Sequence, residues 1–249
     1  MDERNRLMER STLVVGATGA TGRLLVQQLL SQGQHVKVVV RSAERLPNAV
    51  RHHEKLSIIL ASILDLTDSE MAKHVGDCHA VASCLGHTLS FRGIYGHPRR
   101  LVTEVTKRLC HAMKATQHET PRKFVLMNTA GNRNRDLDER ISFSEKCVIG
   151  LVRLTLPPHS DNEKAADFLR TQIGQSDPDI EWAAVRPDTL IDAPQVSDYE
   201  LHRSPTRSAI FDAGKTSRIN VANFMAKLIT DDETWQAWKG QMPVIYNRE

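Results

Sequence analysis

Three glycines spaced three apart, Gly16, Gly19 and Gly22, are the residues whose type and spacing most directly indicate chemistry. An apolar β-branched run precedes them and a helical apolar pattern follows, so they lie where a strand gives way to a helix. Glycine lets the backbone approach a ligand closely, and the first turn of a helix offers unpaired N–H groups to anions. The motif therefore predicts a pyrophosphate site and dinucleotide binding. The alternative is a turn that serves only close helix–strand packing.

One arginine indicates which dinucleotide to expect. The second predicted strand, 35–40, follows Gly33 and leads into Arg41 and Ser42. A carboxylate in this region binds a ribose 2′-hydroxyl, whereas an arginine accommodates a 2′-phosphate. Because Arg41 offers a guanidinium and no carboxylate competes with it, the sequence predicts NADP(H) rather than NAD(H). The alternative is a surface arginine paired with Glu44.

Strand-like and helix-like runs alternate at the spacing of β-α-β units. This alternation predicts an α/β protein with a doubly wound parallel sheet, a Rossmann fold, covered by helices on both faces. The stretch 210–249 is expected to form a small C-terminal lobe. The predicted strands are 12–16, 35–40, 56–61, 80–84, 123–128 and 181–186.

Length and composition favour one globular domain. The chain has 249 residues, of which 40% are hydrophobic and 25% charged, and these values are ordinary for a soluble protein. We expect a single domain over 1–249, with substrate-side segments at about 87–98, 133–159 and 188–249. The formal net charge of +3 gives no argument for nucleic acid.

Several partner classes are not expected. No apolar run approaches the ~20 residues that span a bilayer, and the N-terminal residues lack the apolar segment of a secretory signal. The four cysteines and eleven histidines show no metal-ligand spacing. We therefore expect a cytoplasmic protein without a metal, a membrane or a nucleic-acid partner. We expect a monomer or homodimer that acts on a small molecule.

The glycine motif, the pair Arg41-Ser42 and the later stretch 185–190 resemble the atypical, extended-type short-chain dehydrogenase/reductases, which include NmrA-like and flavin-reductase-like proteins. The resemblance runs from about residue 12 to about residue 229 and implies a Rossmann fold with an NAD(P) cofactor. In the third strand's turn, Ser62 replaces a carboxylate that family members often have. The resemblance implies cofactor contacts from Gly16, Thr18, Gly19, Ala20, Thr21, Gly22, Arg23, Arg41, Ser42, Ser62, Ile63, Asp65, Ser83, Cys84, Leu85, Gly86, Lys164 and Pro187.

The catalytic pattern departs from the family's. Members that oxidise alcohols use Tyr-x-x-x-Lys, in which the lysine lowers the pKa of the phenol. Here Lys164 is present, but Ser160 takes the place of the tyrosine. Ser160 is also explained by a capping box with Glu163 at the start of a helix. The catalytic candidates are Lys164, Asn128, Thr129 and Tyr95. Asn128 and Thr129 lie at the carboxyl end of the fifth predicted strand.

Two functions follow from these residues. The first is an NADPH-dependent oxidoreductase that transfers hydride to a small acceptor, such as a flavin, a quinone or a carbonyl, without the usual tyrosine. The alternative is a non-catalytic NADP(H) sensor that acts through a protein partner. The segment 133–159 suits either a pocket cover or a partner surface, since its second half is apolar. Its apolar residues include Val148, Ile149, Leu151, Val152 and Leu156.

Overall fold

The computed structural model describes residues 11–87, 100–137, 139, 144, 148–151 and 157–248. These residues form two sheets. The strands are β1 (Ser11–Val15), β2 (His35–Val40), β3 (Leu56–Leu60), β4 (Ala80–Ser83), β5 (Arg122–Met127), β6 (Ile180–Pro187), β7 (Thr189–Ile191), β8 (Tyr199–His202), β9 (Lys215–Ser217) and β10 (Val244–Asn247). The helices are α1 (Gly22–Ser31), α2 (Asn48–Arg51), α3 (Asp68–Val75), α4 (Leu101–Lys114), α5 (Pro157–Phe168), α6 (Arg218–Thr230) and α7 (Asp232–Trp238).

The main sheet has eight strands in the order β3-β2-β1-β4-β5-β6-β10-β8. Every pair from β3 to β10 is parallel, and β8 is antiparallel to β10. The first six positions reproduce the strand order of a doubly wound dinucleotide-binding sheet. The predicted fold class is therefore confirmed, and the six predicted strands are present with ends within one residue of those expected.

The core has two layers because the sheet buries both faces. Leu13 and Val15 of β1 belong to the layer beneath α3, α4 and α5, whereas Val14 belongs to the layer beneath α1 and α6. Alternate residues of a strand point to opposite faces, so a nearly continuous apolar strand supplies both layers. All three side chains are fully buried. This double packing fixes the loops at the carboxyl edge of the sheet.

The C-terminal part of the chain is built onto this sheet. Strand β10 extends the main sheet beside β6, and α6 packs against α1. The small additional sheet consists of β7 and β9 alone. Trp235 of α7 is buried and donates from Nε1 to the Glu181 carboxylate at 2.6 Å. Among the described residues, none of the helices has the length and apolar character needed for a membrane span.

Candidate functional site

The predicted glycines form a closed turn between β1 and α1. Gly16 has φ +78°, and a Cβ on it would lie 2.6 Å from the Cys84 carbonyl. The Gly19 N–H donates to the Gly16 carbonyl oxygen at 2.9 Å. A Cβ on Gly22 would lie 2.2 Å from the same oxygen. A Cβ on Gly19 would lie 3.1 Å from that oxygen as well, so a side chain at any of the three positions would crowd the turn that holds the start of α1.

The start of α1 leaves backbone donors without partners. Within the described part of the chain, no hydrogen bond uses the N–H groups of Ala20, Thr21 and Gly22. The Thr21 side chain does not cap the helix, and no acidic residue lies in its first turn. Gly19, Ala20 and Arg23 are exposed, and Thr18 is partly buried. Free N–H groups at a positive helix end form an anion site, which fits the diphosphate of a dinucleotide.

Arg41 lies just beyond β2 with an exposed side chain. None of the ion pairs or hydrogen bonds among the described residues includes it, so the expected alternative of a pair with Glu44 is absent from that part of the structure. Ser42 follows and precedes the short 3-10 turn Ala43–Arg45. A guanidinium without a carboxylate partner remains available for a phosphate.

The other residues predicted to contact the cofactor also lie on turns at this sheet edge. The backbone carbonyl of Ser62 accepts from the Asp65 N–H at 2.9 Å in the turn after β3. Ile63 in that turn packs partly against the core, while Asp65 is exposed. Ser62 is partly buried, so this turn offers a hydroxyl and a distal carboxylate rather than the usual first carboxylate.

The turn after β4 offers backbone groups, rather than side chains, to a cofactor. Cys84 is buried, and its sulfur lies 3.9 Å from the Met225 sulfur on the α6 side. Burial raises the pKa of the Cys84 thiol to about 12, so it is not a nucleophile at neutral pH. Ser83 is fully buried and Leu85 packs on the core. A Cβ on Gly86 would meet nothing within 4 Å, so space is open there.

A pocket of about 300 Å³ lies after β5 and β6. Thr129, at the end of β5, and Asp188, just after Pro187 of β6, line it. The Thr129 hydroxyl oxygen accepts from the Gly131 N–H at 3.3 Å, which leaves its own proton for a ligand. Burial raises the pKa of Asp188, although the Gly214 N–H donates to its Oδ2 at 2.9 Å.

The same pocket is lined partly by apolar and partly by polar side chains. Ile149, Ala209 and Ile210 supply the apolar part, and His159 of α5 supplies an imidazole. Pro187 itself is buried, and its carbonyl accepts from the Ala130 N–H at 2.8 Å. Of the apolar segment expected to cover a pocket or bind a partner, Ile149 therefore lies in the pocket, whereas residues 152–156 lie outside the described residues.

Asn128 ties the end of β5 to α5. Its Oδ1 accepts from the Thr129 N–H at 2.8 Å and from the Asn132 amide at 3.2 Å. Its Nδ2 donates to the Asn162 carbonyl at 2.9 Å. The side chain is 6% exposed. Asn128 therefore holds Thr129 in place, and its three side-chain hydrogen bonds link the end of β5 to the following turn and to α5.

The structure does not bring Lys164 into the Thr129 pocket. Lys164 is exposed and lines a separate groove between α4 and α5, together with Arg100 and Lys107. Ser160 is the fourth residue of α5, so the predicted capping box with Glu163 is wrong: a cap must precede the first helical residue. Tyr95, the remaining catalytic candidate, lies outside the described residues.

Two buried carboxylates fix the elements around the pocket. Asp161 accepts from the N–H groups of Val102 and Thr103, at 2.8 and 3.0 Å, and from His87 Nε2 at 2.9 Å. Burial alone would raise the pKa of Asp161, but these hydrogen bonds outweigh burial and lower it. Asp161 thereby joins α5 to the start of α4 and to the turn after β4.

The second carboxylate is Glu139, which pairs with Arg186 of β6. The Arg186 Nη2 lies 2.8 Å from the Glu139 Oε1, and the two side chains are 0% and 4% exposed. Arg186 also donates to the carbonyls of Met242, Asn132 and Arg203. The pair links the turn after β5 to β6 and to the chain after β8. Neither Asp161 nor Glu139 was expected from the sequence, because their partners lie about 50 residues or more away along the chain.

Sequence reasoning also missed His159. Its Nε2 lies 3.4 Å from the Glu163 Oε1, one helical turn away on α5. The available signal was the His-x-x-x-Glu spacing at 159–163, which places both side chains on one face of a helix. The predicted helix start obscured it, since it assigned Glu163 to a cap.

Solved structures share this architecture. A short-chain dehydrogenase/reductase (wide type) from Veillonella parvula, solved in complex with NADP, aligns with a TM-score of 0.64 and 16% identity over 96% of this chain and 94% of its own. A candidate NADH-flavin reductase from Streptococcus pneumoniae aligns with a TM-score of 0.66 and 17% identity over 96% of this chain and 100% of its own. At this identity the likeness demonstrates the fold.

Sequence comparisons identify the family. A chloroplastic protein of Arabidopsis thaliana, itself uncharacterised, is 34% identical over 80 residues, which are 32% of this chain and 28% of that protein. The match thus spans less than a third of that relative's length. A family model described as NAD(P)H-binding matches residues 16–232, which include the glycine turn, Arg41 and the Thr129 pocket. The chain therefore belongs to this NAD(P)H-binding family.

Proposed function

We propose that this protein is an NADP(H)-dependent oxidoreductase that reduces a small, uncharged acceptor. The observation that carries the proposal is the placement of two features on one sheet edge: the free N–H groups of residues 20–22 and the pocket of Thr129. The first suits a diphosphate, and the second suits a small organic molecule. In open α/β sheets, ligands bind outside the carboxyl ends of the strands, across such an edge.

The preference for NADPH over NADH rests on Arg41. Its guanidinium is exposed and has no partner among the described residues, so binding a 2′-phosphate breaks no existing ion pair. Ser42, the residue after Arg41, offers no carboxylate that would bind a ribose 2′-hydroxyl. One solved relative, from Veillonella parvula, was crystallised with NADP, which agrees with this preference.

The acceptor class follows from the pocket. No lysine or arginine occurs among its described lining residues, which include the Asp188 carboxyl, so an anionic acceptor is disfavoured. A volume of about 300 Å³ accommodates a compound of one or two rings. Aldehydes, ketones and quinones fit these limits. The Streptococcus pneumoniae relative adds flavins to the acceptors worth testing.

Each group at the edge has a separate task. When bound, the nicotinamide coenzyme supplies a hydride. The N–H groups of residues 20–22 hold the diphosphate, and Arg41 holds the 2′-phosphate. The Thr129 hydroxyl donates a hydrogen bond to the acceptor oxygen, where negative charge develops during reduction. Asn128 keeps Thr129 in this position through the N–H of Thr129.

The proposal is tested by NADPH oxidation, followed by absorbance, with benzaldehyde, benzoquinone and lumiflavin, an uncharged flavin, as acceptors. We expect turnover with at least one of them and a higher kcat/KM for NADPH than for NADH. Replacing Arg41 by alanine removes charge-assisted hydrogen bonds worth about 1.5–3 kcal/mol, so the NADPH preference should fall at least about tenfold.

Arg45 is the matched control. It is exposed, lies four residues after Arg41 and makes no ion pair among the described residues. Arg45→Ala is therefore expected to leave the coenzyme preference unchanged. An Arg41→Ala variant with the wild-type preference would contradict the assignment of NADP(H). A protein that binds NADPH but reduces none of the acceptors would instead agree with the sensor hypothesis.

A further inference from the structure

We propose that His159, oriented by Glu163, gives the proton that completes reduction of the acceptor. The inference rests on the proposed function and identifies the proton donor that the missing tyrosine leaves unassigned. It depends on three observations: the His159–Glu163 contact, the position of His159 in the Thr129 pocket, and the helical face that the two residues share.

The contact between the two side chains is largely shielded from water. His159 Nε2 is 3.4 Å from Glu163 Oε1, and the side chains are 14% and 9% exposed. The Nε2 atom itself is buried and makes no hydrogen bond in the described part of the structure, so the contact with Glu163 is an ion-pair approach that has not closed into a hydrogen bond. Catalytic hydrogen bonds are often long before the substrate binds and then tighten. A carboxylate at Nε2 favours the proton there and directs Nδ1 to the other side of the ring.

The other side of the ring faces the pocket beside Thr129. A methyl group placed on Gly131 would lie 3.5 Å from His159 Cε1, 3.9 Å from Nδ1 and 3.8 Å from Thr129 Oγ1. One point in space is therefore within 4 Å of both the imidazole and the hydroxyl. Because residue 131 is glycine, no side chain fills that point. The Thr129 hydroxyl and the His159 ring therefore border the same part of the pocket. An acceptor oxygen that enters the pocket beyond Gly131 can lie between them and receive the Thr129 hydrogen bond and the Nδ1 proton.

The helical geometry separates this pair from the lysine expected from the family pattern. His159 and Glu163 are four residues apart and share a face of α5. Lys164 lies five residues after His159, about 140° further around the helix. This angle explains why Lys164 lines the groove towards α4 while His159 lines the Thr129 pocket. His159 and Glu163 thus lie one residue before Ser160 and Lys164, the positions that match the tyrosine and lysine of the family pattern.

The chemistry is a proton transfer coupled to hydride addition. In the acceptor the C=O π bond opens, the hydride supplied from NADPH forms a new C–H bond, and the Nδ1 proton forms a new O–H bond. The acceptor gains two electrons and becomes an alcohol at the expense of NADPH. His159 changes from imidazolium to neutral imidazole and is reprotonated by solvent. Glu163 stabilises the imidazolium before transfer.

Two carboxyl groups face His159 among the described residues. Glu163 contacts it from α5, and Asp188 lines the same pocket from the end of β6. Burial raises the pKa of Asp188, which makes it the competing proton donor. Asp188→Asn therefore belongs in the test.

The first experiment measures kcat against pH with benzaldehyde and NADPH for the wild type and for His159→Gln. General acid catalysis contributes about 100-fold or more, so we expect a kcat loss of that size with an unchanged affinity for NADPH. The pH dependence of kcat should differ between the wild type and the variant, because only the wild type carries an imidazole at position 159. His111→Gln, on α4 beside Phe168, is the matched control and should match the wild type.

The second experiment determines which ring nitrogen of His159 carries the proton, and it does not require turnover. The probe is benzamide, a neutral carbonyl compound, and the measurement is nitrogen NMR of the labelled protein with NADPH. We expect the proton of the neutral His159 ring to lie on Nε2, and we expect the Nδ1 signal to shift when benzamide is added. Glu163→Gln should weaken the Nε2 preference. A wild-type proton on Nδ1, or an Nδ1 signal indifferent to benzamide, would overturn the proposal.

The two proposals fail in different ways. A protein that does not bind NADPH refutes the proposed function. A protein that binds and oxidises NADPH while His159→Gln keeps the wild-type kcat and pH profile refutes only the role of His159. Loss of activity in Asp188→Asn together with a fully active His159→Gln would transfer the role to Asp188.

Discussion

Replacing Gly22 by alanine tests how the glycine turn builds the anion site. The new Cβ would lie 2.2 Å from the Gly16 carbonyl oxygen. An ordinary contact needs at least 3.4 Å, so the helix start and the turn must separate by about 1.2 Å. The Gly16 carbonyl also accepts the Gly19 N–H, so this movement breaks or lengthens the hydrogen bond that closes the turn.

The expected cost follows from this displacement. Overpacking of this kind costs about 1–3 kcal/mol, and the better helix propensity of alanine returns up to about 1 kcal/mol. We expect a net decrease of about 1–2 kcal/mol in the free energy of unfolding, measured by urea denaturation. The N–H groups of residues 20–22 move with the helix start. Loss of even one charge-assisted hydrogen bond should then weaken NADPH binding by about tenfold or more.

Gly76 is the control for this substitution. It has φ −58°, follows α3, and a Cβ on it would lie 3.1 Å from its nearest neighbour, the Ala72 carbonyl. It lies at the opposite edge of the sheet from the glycine turn, since α3 runs back towards the start of β4. Gly76→Ala should leave NADPH affinity unchanged. Wild-type stability and affinity in Gly22→Ala would refute the steric reasoning.

Two further predictions concern stability. Burial lowers the pKa of His79 to about 4 in the folded protein, where its Nδ1 donates to the Ser11 carbonyl at 2.8 Å. Between pH 4 and 6.5 the unfolded state therefore binds more protons, and the free energy of unfolding should fall by up to about 3 kcal/mol as the pH drops through that range. In urea titrations, His79→Asn should reduce this dependence of the unfolding free energy on pH. Glu139→Gln leaves the buried Arg186 charge unpaired and should lower the free energy of unfolding by about 3 kcal/mol. Glu200→Gln, at the exposed pair with Arg248, should change it far less, and equal costs for the two variants would contradict this difference.

The sequence predicts what local patterns determine. The six central strands are short apolar runs bounded by turns, and each is found within one residue of its predicted ends. The roles of Gly16 and Gly22 follow from a spacing within seven residues. Strands β8 and β10 were missed because each has four residues and gains stability only from pairing in the sheet.

The reactive pocket could be predicted only in part. Thr129 follows a recognised strand, so its place at the sheet edge was evident. His159 was missed because the sequence favoured a helix start at Ser160, whereas α5 begins at Pro157. The three additional residues bring His159 into the helix, where it shares a face with Glu163. Such a register is set by Asp161 and its partners on α4 and after β4, which are contacts between distant parts of the chain.

The central claim is that the phosphates of a nicotinamide dinucleotide bind the free N–H groups at the start of α1. Its most direct test is a proton–nitrogen NMR titration of the uniformly labelled protein with NADPH. We predict that the amide signals of Ala20, Thr21 and Gly22 show some of the largest shifts and that these shifts saturate at one equivalent of NADPH. Shifts confined to other parts of the chain, or no shifts at all, would contradict the account.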